Sequence, residues 1–401
     1  MPSPLSDYFT AIGIKRLSQV EINPTTSNQH EFNGIKEFQR IFGSEKKTFA
    51  AKFLYLTDDQ DEILEGDGFL TWYDSREKHV TRTEYRLYYS SNQVIANAKV
   101  NDLIIVGITS ENNLAVIVAP QNSTYEKQLL WLFGVEEVAN KFIIKDFTED
   151  KKDIGFAGRF ILSSFGMEQI ETAPDLVDDL LKQFGNKFPS TKEFSDYSRS
   201  TVSDVSPVDS PDETLIAWLE REEMLFRTLE GVIVKEQLKK GFGIDGTDVD
   251  EFIKLSLSVQ NRRKSRAGHS FEHNLAILFS INKIRYSHGA VTERNNKPDF
   301  LFPGISEYNN DGFDINLLTM LGVKTSAKDR WRQVLSEAKK IDHKHLITLE
   351  PSISNNQIEE MKANNLQLVI PAPLFSTYTK SQQKELFSVK DFMEMILLKQ
   401  G

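Results

Sequence analysis

The sequence predicts a two-domain α+β chain. A β-barrel or sandwich is expected over residues 1–185 and an α/β domain with a central mixed sheet over 212–401, joined by a flexible linker over 186–211. Three observations carry this. At 401 residues the chain is too long for one ordinary core. Up to about residue 180, short runs rich in β-branched and aromatic residues follow one another with polar turns between them. Beyond residue 212, helical and strand-like periods alternate, the pattern of a sheet covered by helices.

In the first half, strands are expected at 49–56, 68–73, 81–89 and 102–109. A continuous apolar run at 114–119 reads as a buried strand, and 123–133 as a helix. Short strands at close spacing with few helices suit a barrel or sandwich. The stretch 195–210 is rich in serine and aspartate without an apolar period, hence the linker. It ends at Ser210-Pro211-Asp212-Glu213, which matches a capping box with proline at the first helical position. Helices are then expected at 212–230, 248–262, 269–282, 329–341, 355–364 and 389–399. The expected strands are 284–288, 298–303, 316–325, 344–349 and 367–371.

Composition narrows the function classes. With 39% hydrophobic and 26% charged residues the chain reads as soluble and globular. No segment approaches the roughly 20 apolar residues of a membrane span. The start of the chain lacks the basic and apolar regions of a signal peptide, so a cytoplasmic location is expected. The absence of cysteine excludes disulfides, zinc–thiolate sites and cysteine nucleophiles. A net charge of −10 opposes indiscriminate polyanion binding but not a DNA-binding surface on which cations are concentrated. Two such clusters exist. One holds Arg76, Lys78, His79, Arg82 and Arg86; the other joins Arg262, Arg263, Lys264 and Arg266 to Lys324, Lys328, Arg330 and Arg332.

The candidate chemistry lies in the second half. Pro298 opens a strand, where its missing N–H costs least, and Asp299 follows at once. A second strand ends in Lys324, and Glu337 lies on the second or third turn of the helix expected after it. Phosphodiester hydrolysis needs such residue types together. Magnesium takes oxygen ligands, usually one or two carboxylates, which Asp299 and Glu337 would provide. A lysine beside them can orient the attacking water and stabilise charge on the phosphoryl oxygens. Taken singly, each piece also has an ordinary explanation: a strand start, a solvated strand-edge lysine and a solvated helix face.

Longer strings decide between these. Lys297-Pro298-Asp299-Phe300-Leu301-Phe302-Pro303, Val323-Lys324-Thr325 and Lys328-Asp329-Arg330-Trp331-Arg332-Gln333 resemble the EcoRII-like type II (type IIE) restriction endonucleases of the PD-(D/E)xK nuclease superfamily. The similarity continues through Arg263-Lys264-Ser265-Arg266-Ala267-Gly268 and His345-Leu346-Ile347-Thr348-Leu349, and so covers most of residues 250–375. The textual pattern is broken, since Gly322 stands two residues before Lys324 where an acid is usual. In this branch the following helix supplies the second carboxylate, at a spacing that Glu337 matches.

The resemblance implies a magnesium-dependent endonuclease that cuts double-stranded DNA through Asp299, Lys324 and Glu337, with Asp299 and Glu337 on the metal. Tyr308 matches a tyrosine near the scissile phosphate, and Lys328 serves either that phosphate or a base. Glu272 either leans toward the metal or is solvated. Lys328, Asp329 and Arg330 would read C·G pairs, because arginine grips guanine bidentately and an acid accepts from cytosine. Arg262, Arg263, Lys264 and Arg266 would contact backbone phosphates.

The implied target is CCWGG (W being A or T), cut before the first cytosine to leave 5′-phosphates. Two-fold symmetric sites imply a homodimer. A weaker similarity over residues 76–82 implies that the N-terminal domain is a DNA-binding pseudobarrel like that of plant transcription factors. Glu77, Lys78, His79 and Arg82 would there contact an activating, effector copy of the DNA. The rival readings are a non-cleaving DNA-binding regulator that keeps the nuclease fold, and a protein-interaction module with no salt-dependent DNA affinity.

Overall fold

Apolar patterning in the first half builds a sheet covered on both faces. A computed structural model describes residues 4–22, 30–58, 63–168, 172–328 and 330–401. It divides into two compact units, one of residues 1–168 with 351–356 and one of 169–350 with 357–401.

The first unit holds eight strands: β1 (Phe9–Arg16), β2 (Glu31–Asn33), β3 (Lys47–Tyr55), β4 (Leu64–Asp74), β5 (Tyr85–Tyr89), β6 (Leu103–Thr109), β7 (Leu114–Ala119) and β8 (Ile143–Asp146). Their order across the sheet is β2-β5-β4-β3-β7-β6-β1-β8. Every neighbouring pair is antiparallel except β3 with β7. Along β6 and β7 successive side chains enter two different cores, Leu103, Ile105, Ala115 and Ile117 on one face and Ile104, Val106, Val116 and Val118 on the other. Continuous rather than alternating hydrophobicity is what two covered faces require. The helix expected at 123–133 is α1 (Thr124–Leu132), capped by Ser123.

The second unit carries a five-stranded mixed sheet of β9 (Ser287–His288), β10 (Phe300–Phe302), β11 (Thr319–Lys324), β12 (Lys344–Thr348) and β13 (Leu366–Val369). Its order is β13-β12-β11-β10-β9. The β9–β10–β11 pairings are antiparallel, and those of β11–β12–β13 parallel. The chain is therefore α+β with a mixed sheet in each unit. Among the described residues, no helix is long and apolar enough to cross a membrane.

Three local expectations are corrected. The 186–211 stretch is not an unstructured linker: it contains α2 (Thr191–Ser200), opened by a Ser190–Glu193 capping box. Phe194 of α2 joins a core with Leu225, Phe226 and Leu229. Phe194 and the half-buried Tyr197 beside it anchor a helix that composition hid. The capping box expected at Ser210 does not form, for Ser210 makes no side-chain cap bond to the next helix, α3 (Pro211–Lys240). Its neighbour Asp212 is buried and accepts from the N–H groups of Ala372, Val389 and Lys390 at 2.8–3.0 Å. Finally, the helices expected at 248–262 and 269–282 are one, α4 (Val249–Ile281). Gly268 lies inside it, a tolerable cost of about 1 kcal/mol.

Candidate active site

Strand register positions the first two residues. Phe300 pairs with Leu321 in the antiparallel β10–β11 ladder, which sets the start of β10 beside the end of β11. All three residues of β10 are buried, and Phe279 of α4 packs edge-on against Phe300 and Phe302. Asp299 is thus held just before a rigid strand. Its Oδ2 accepts from the Val323 N–H at 2.6 Å and from Lys324 Nζ at 3.2 Å. Lys324 follows five buried residues at the end of β11, and its side chain is 12% exposed.

Gly322 explains why the acid usual at that position is missing. A Cβ there would stand 2.7 and 2.9 Å from the two methyl carbons of Val334. Val334 closes the short helix α6 (Trp331–Val334), which follows α5 (Ile305–Tyr308). No side chain fits at 322 without displacing Val334, so a second carboxylate must come from elsewhere.

Glu337 is the candidate for that role, though not from a helix. The helix expected at 329–341 ends at Val334, and Glu337 sits in the bend after it, its N–H bonded to the Val334 carbonyl at 3.1 Å. Ala338, at φ 45°, turns the chain out of helical geometry. Glu337 Oε2 is buried without a hydrogen-bond partner. Burial pushes this carboxyl up from 4.5 to about 7; the Asp299 charge adds to the rise, while Lys324 and Lys344 oppose it. A buried carboxylate oxygen lacking a donor, close enough to Asp299 to feel its charge, suits a hard cation with oxygen ligands. Two carboxylates also match magnesium's habit of keeping several waters. Among the described residues, no group of three or more His, Asp or Glu is arranged to hold a metal.

A pH dependence follows. Glu337's folded value lies above its unfolded one, so its contribution to stability is complete below about pH 4.5 and is lost as the pH rises through about 7. The metal-free protein is expected to lose stability between about pH 4.5 and 7, by at most roughly 3 kcal/mol from this group. Urea unfolding at four pH values checks it: Glu337→Gln should flatten this part of the profile, and an unchanged slope would contradict the assignment.

The other expected residues divide. Tyr308 is 2% exposed. Its hydroxyl donates to Glu293 and accepts from the Lys340 N–H at 3.2 Å, so it clamps two loops and is not offered to a phosphate. Its hydroxyl is pushed up to about 12, by burial first and then by Glu293. Lys328 is half-buried at φ 25°. Arg330 is exposed at the N-cap of α6. Asp329 lies outside the described residues.

The expected phosphate-binding arginines are mostly committed elsewhere. Arg266 is 6% exposed and pairs with Glu222 and Glu223 of α3. Arg263 Nε donates to Glu230 at 2.8 Å, and the Arg262 guanidinium lies 3.8 Å from the centre of the Phe188 ring. Of these four cations Lys264 is exposed, Arg262 and Arg263 are half-buried and Arg266 is buried. In the first unit Glu77, Lys78, His79 and Arg82 are all exposed on the loop between β4 and β5.

Sequence reasoning missed His288. Its Nε2 lies 2.9 Å from Glu272 Oε2, and both groups feel the Asp299–Lys324 charges. The two-residue alternation of the expected 284–288 strand would have set it on the same face as Tyr286, but nothing in the sequence tied it to a carboxylate on α4.

Comparison with known proteins agrees with this geometry. Residues 226–393 match the family described as EcoRII C terminal. Type II restriction enzyme EcoRII of Escherichia coli is 42% identical over 208 residues, 52% of this chain and 50% of that protein. The chain therefore matches the curated relative over about half of that protein's length.

Solved structures that resemble it include metal-depleted Ecl18kI in complex with uncleaved, modified DNA (19% identity, 57% of this chain and 85% of that one, TM-score 0.45). The restriction endonuclease PspGI–substrate DNA complex is another (15% identity, 58% and 96%, TM-score 0.39). Over residues 226–393 this chain is thus similar to the EcoRII C-terminal family, and over about half of its length to a type II restriction enzyme.

Proposed function

We propose that this protein is a site-specific, metal-dependent endonuclease that hydrolyses phosphodiester bonds of double-stranded DNA at Asp299, Lys324 and Glu337. The observation that carries the reading is the orphaned Glu337 carboxylate beside the Asp299–Lys324 pair, within the segment similar to a type II restriction enzyme. Asp299 and Glu337 would hold magnesium, which when bound neutralises the scissile phosphate and makes a coordinated water more acidic. Lys324 directs its ammonium to the attacking water and to the charge that develops on the phosphoryl oxygens. The Val323 N–H keeps the Asp299 carboxylate in one orientation while this happens.

The target is CCWGG, with 5′-phosphate ends. Arg330 and Lys328, with Asp329, read its C·G pairs. Lys264 touches backbone phosphate, whereas Arg266 and Arg263 shape the fold. A homodimer presents one such site to each strand. The exposed Glu77, Lys78, His79 and Arg82 receive a second, effector copy of the DNA on the first unit, a pseudobarrel in this reading, and so activate cutting. The protein works in the cytoplasm.

Incubation with a plasmid bearing several CCWGG sites tests this. Discrete fragments with 5′-phosphate ends are expected in magnesium and none in EDTA. Salt-sensitive binding without any cutting would favour the non-cleaving regulator, and absence of DNA affinity the interaction module.

A further inference from the structure

The turn from β11 to α6, residues 325–330, joins Lys324 to the residues read above as sequence-recognising, Lys328, Asp329 and Arg330. Its described part is held at three points. Where it leaves β11, the Thr325 carbonyl accepts from the Leu349 N–H and from the Thr348 hydroxyl, both at 3.2 Å. Where it enters α6, the carbonyl of the buried Ala327 accepts from the N–H of the buried Trp331 at 3.2 Å. Between these anchors the Ser326 hydroxyl donates to Oε2 of Glu350. The middle hold is a side-chain one, and it falls two residues after the catalytic candidate and two before Lys328.

Glu350 is a costly residue at this place. It follows β12 in a run, 344–350, that is buried throughout, and is itself 0% exposed. Its main chain is fixed on both sides: the N–H donates to the Thr348 hydroxyl at 3.2 Å, and the carbonyl accepts from the Tyr378 hydroxyl at 2.5 Å. A carboxyl group so deep in the fold costs more stability than an apolar side chain of similar size would. What it adds is a rigid acceptor facing the turn. The turn needs one, because Lys328 has φ 25°, a conformation that a side-chain-bearing residue keeps only when its surroundings impose it.

We propose that Ser326 and Glu350 are positioning residues for target recognition: their hydrogen bond sets the path of the 325–330 turn, and so where Lys328 and Arg330 meet base edges while Lys324 faces the scissile phosphate. Such contacts must be held to within about 0.5 Å, which long side chains on an unsupported turn do not achieve. The inference rests on the reading of Lys328 to Arg330 as the sequence-recognising segment.

Three measurements test it: affinity without metal for DNA carrying CCWGG and for the same DNA with one C·G pair exchanged, single-turnover cleavage in magnesium, and thermal melting. Ser326→Ala should shrink the ratio of the two affinities by roughly tenfold, about what one misread base pair costs. It should slow cutting at CCWGG by roughly 10- to 100-fold, the scale of a small misplacement, and melt close to wild type. Ser326→Thr keeps the hydroxyl and should restore both discrimination and rate. Glu350→Leu, which fills the site without an acceptor, should reproduce the Ser326→Ala losses; the two Ser326 variants decide the matter whether or not it folds.

A Ser326→Ala protein that discriminates and cuts like wild type overturns the proposal, as does a folded Ser326→Thr as defective as Ser326→Ala. Arg330→Ala separates this failure from that of the reading beneath it. If Arg330→Ala loses discrimination and Ser326→Ala does not, the proposal alone falls. If Arg330→Ala discriminates like wild type, the turn does not read sequence, and the recognition reading falls together with the proposal.

Discussion

Asp299→Asn is expected to bind DNA as wild type does and to cut it slower by roughly a thousandfold or more, the scale seen when a charge-stabilising group leaves a catalytic site. Asparagine keeps an oxygen for the Val323 N–H, so the β10–β11 junction survives. What it removes is the negative charge that pairs with Lys324 and, in the proposed reaction, holds a cation. Glu337 loses a like-charged neighbour at the same time, so its carboxyl should ionise more readily. DNA affinity measured without catalysis should hold steady or rise, because one anion near the phosphate is gone. Cleavage within tenfold of wild type would remove Asp299 from the chemistry.

Arg266→Ala is expected to destabilise the second unit by about 3–5 kcal/mol, the usual cost of leaving one member of a buried ion pair alone. The abandoned partner is Glu222, which is fully buried and, among the described residues, otherwise accepts a hydrogen bond from the Asn274 amide at 3.2 Å, Asn274 itself being held by Arg199 at 2.8 Å. The Arg266 guanidinium also lies 4.2 Å from the centre of the Phe226 ring, so packing is lost with the charge. Urea unfolding gives the number. Lys264→Ala, on the exposed side of the same helix, is the control and should stay within about 0.5 kcal/mol. If Arg266→Ala melted like wild type but lost salt-dependent DNA affinity, the arginine would be a phosphate contact after all.

These contrasts show which parts of the molecule its sequence disclosed. Most strand positions in both units follow from apolar runs and local turn chemistry, although β1, β2 and β8 were not among the expected strands; Pro298 marks the start of β10 because proline is tolerated there. Asp299 and Lys324 were legible for the same reason: both sit at strand ends, where local pattern and exposure agree. Glu337's place in a bend was not, because Trp331, Val334 and Ala338 repeat at helical spacing, whereas the helix stops at Val334 and the left-handed backbone at Ala338 then turns the chain away. The arginines of α4 misled for a different reason. Their partners Glu222, Glu223 and Glu230 lie 33 to 44 residues upstream, and a charge run does not say which of its members will be buried. Tyr308 and His288 likewise depend on contacts made across the fold, with Glu293 and Glu272.

The measurement that tests the central claim most directly is cleavage of a plasmid with several CCWGG sites by wild type and by Lys324→Ala, in magnesium, with DNA binding recorded for both. Discrete fragments from the wild type, absent with Lys324→Ala although it still binds, are the predicted result. Binding by both proteins with cutting by neither, or equal cutting by both, would contradict the assignment of Asp299, Lys324 and Glu337 as one catalytic centre.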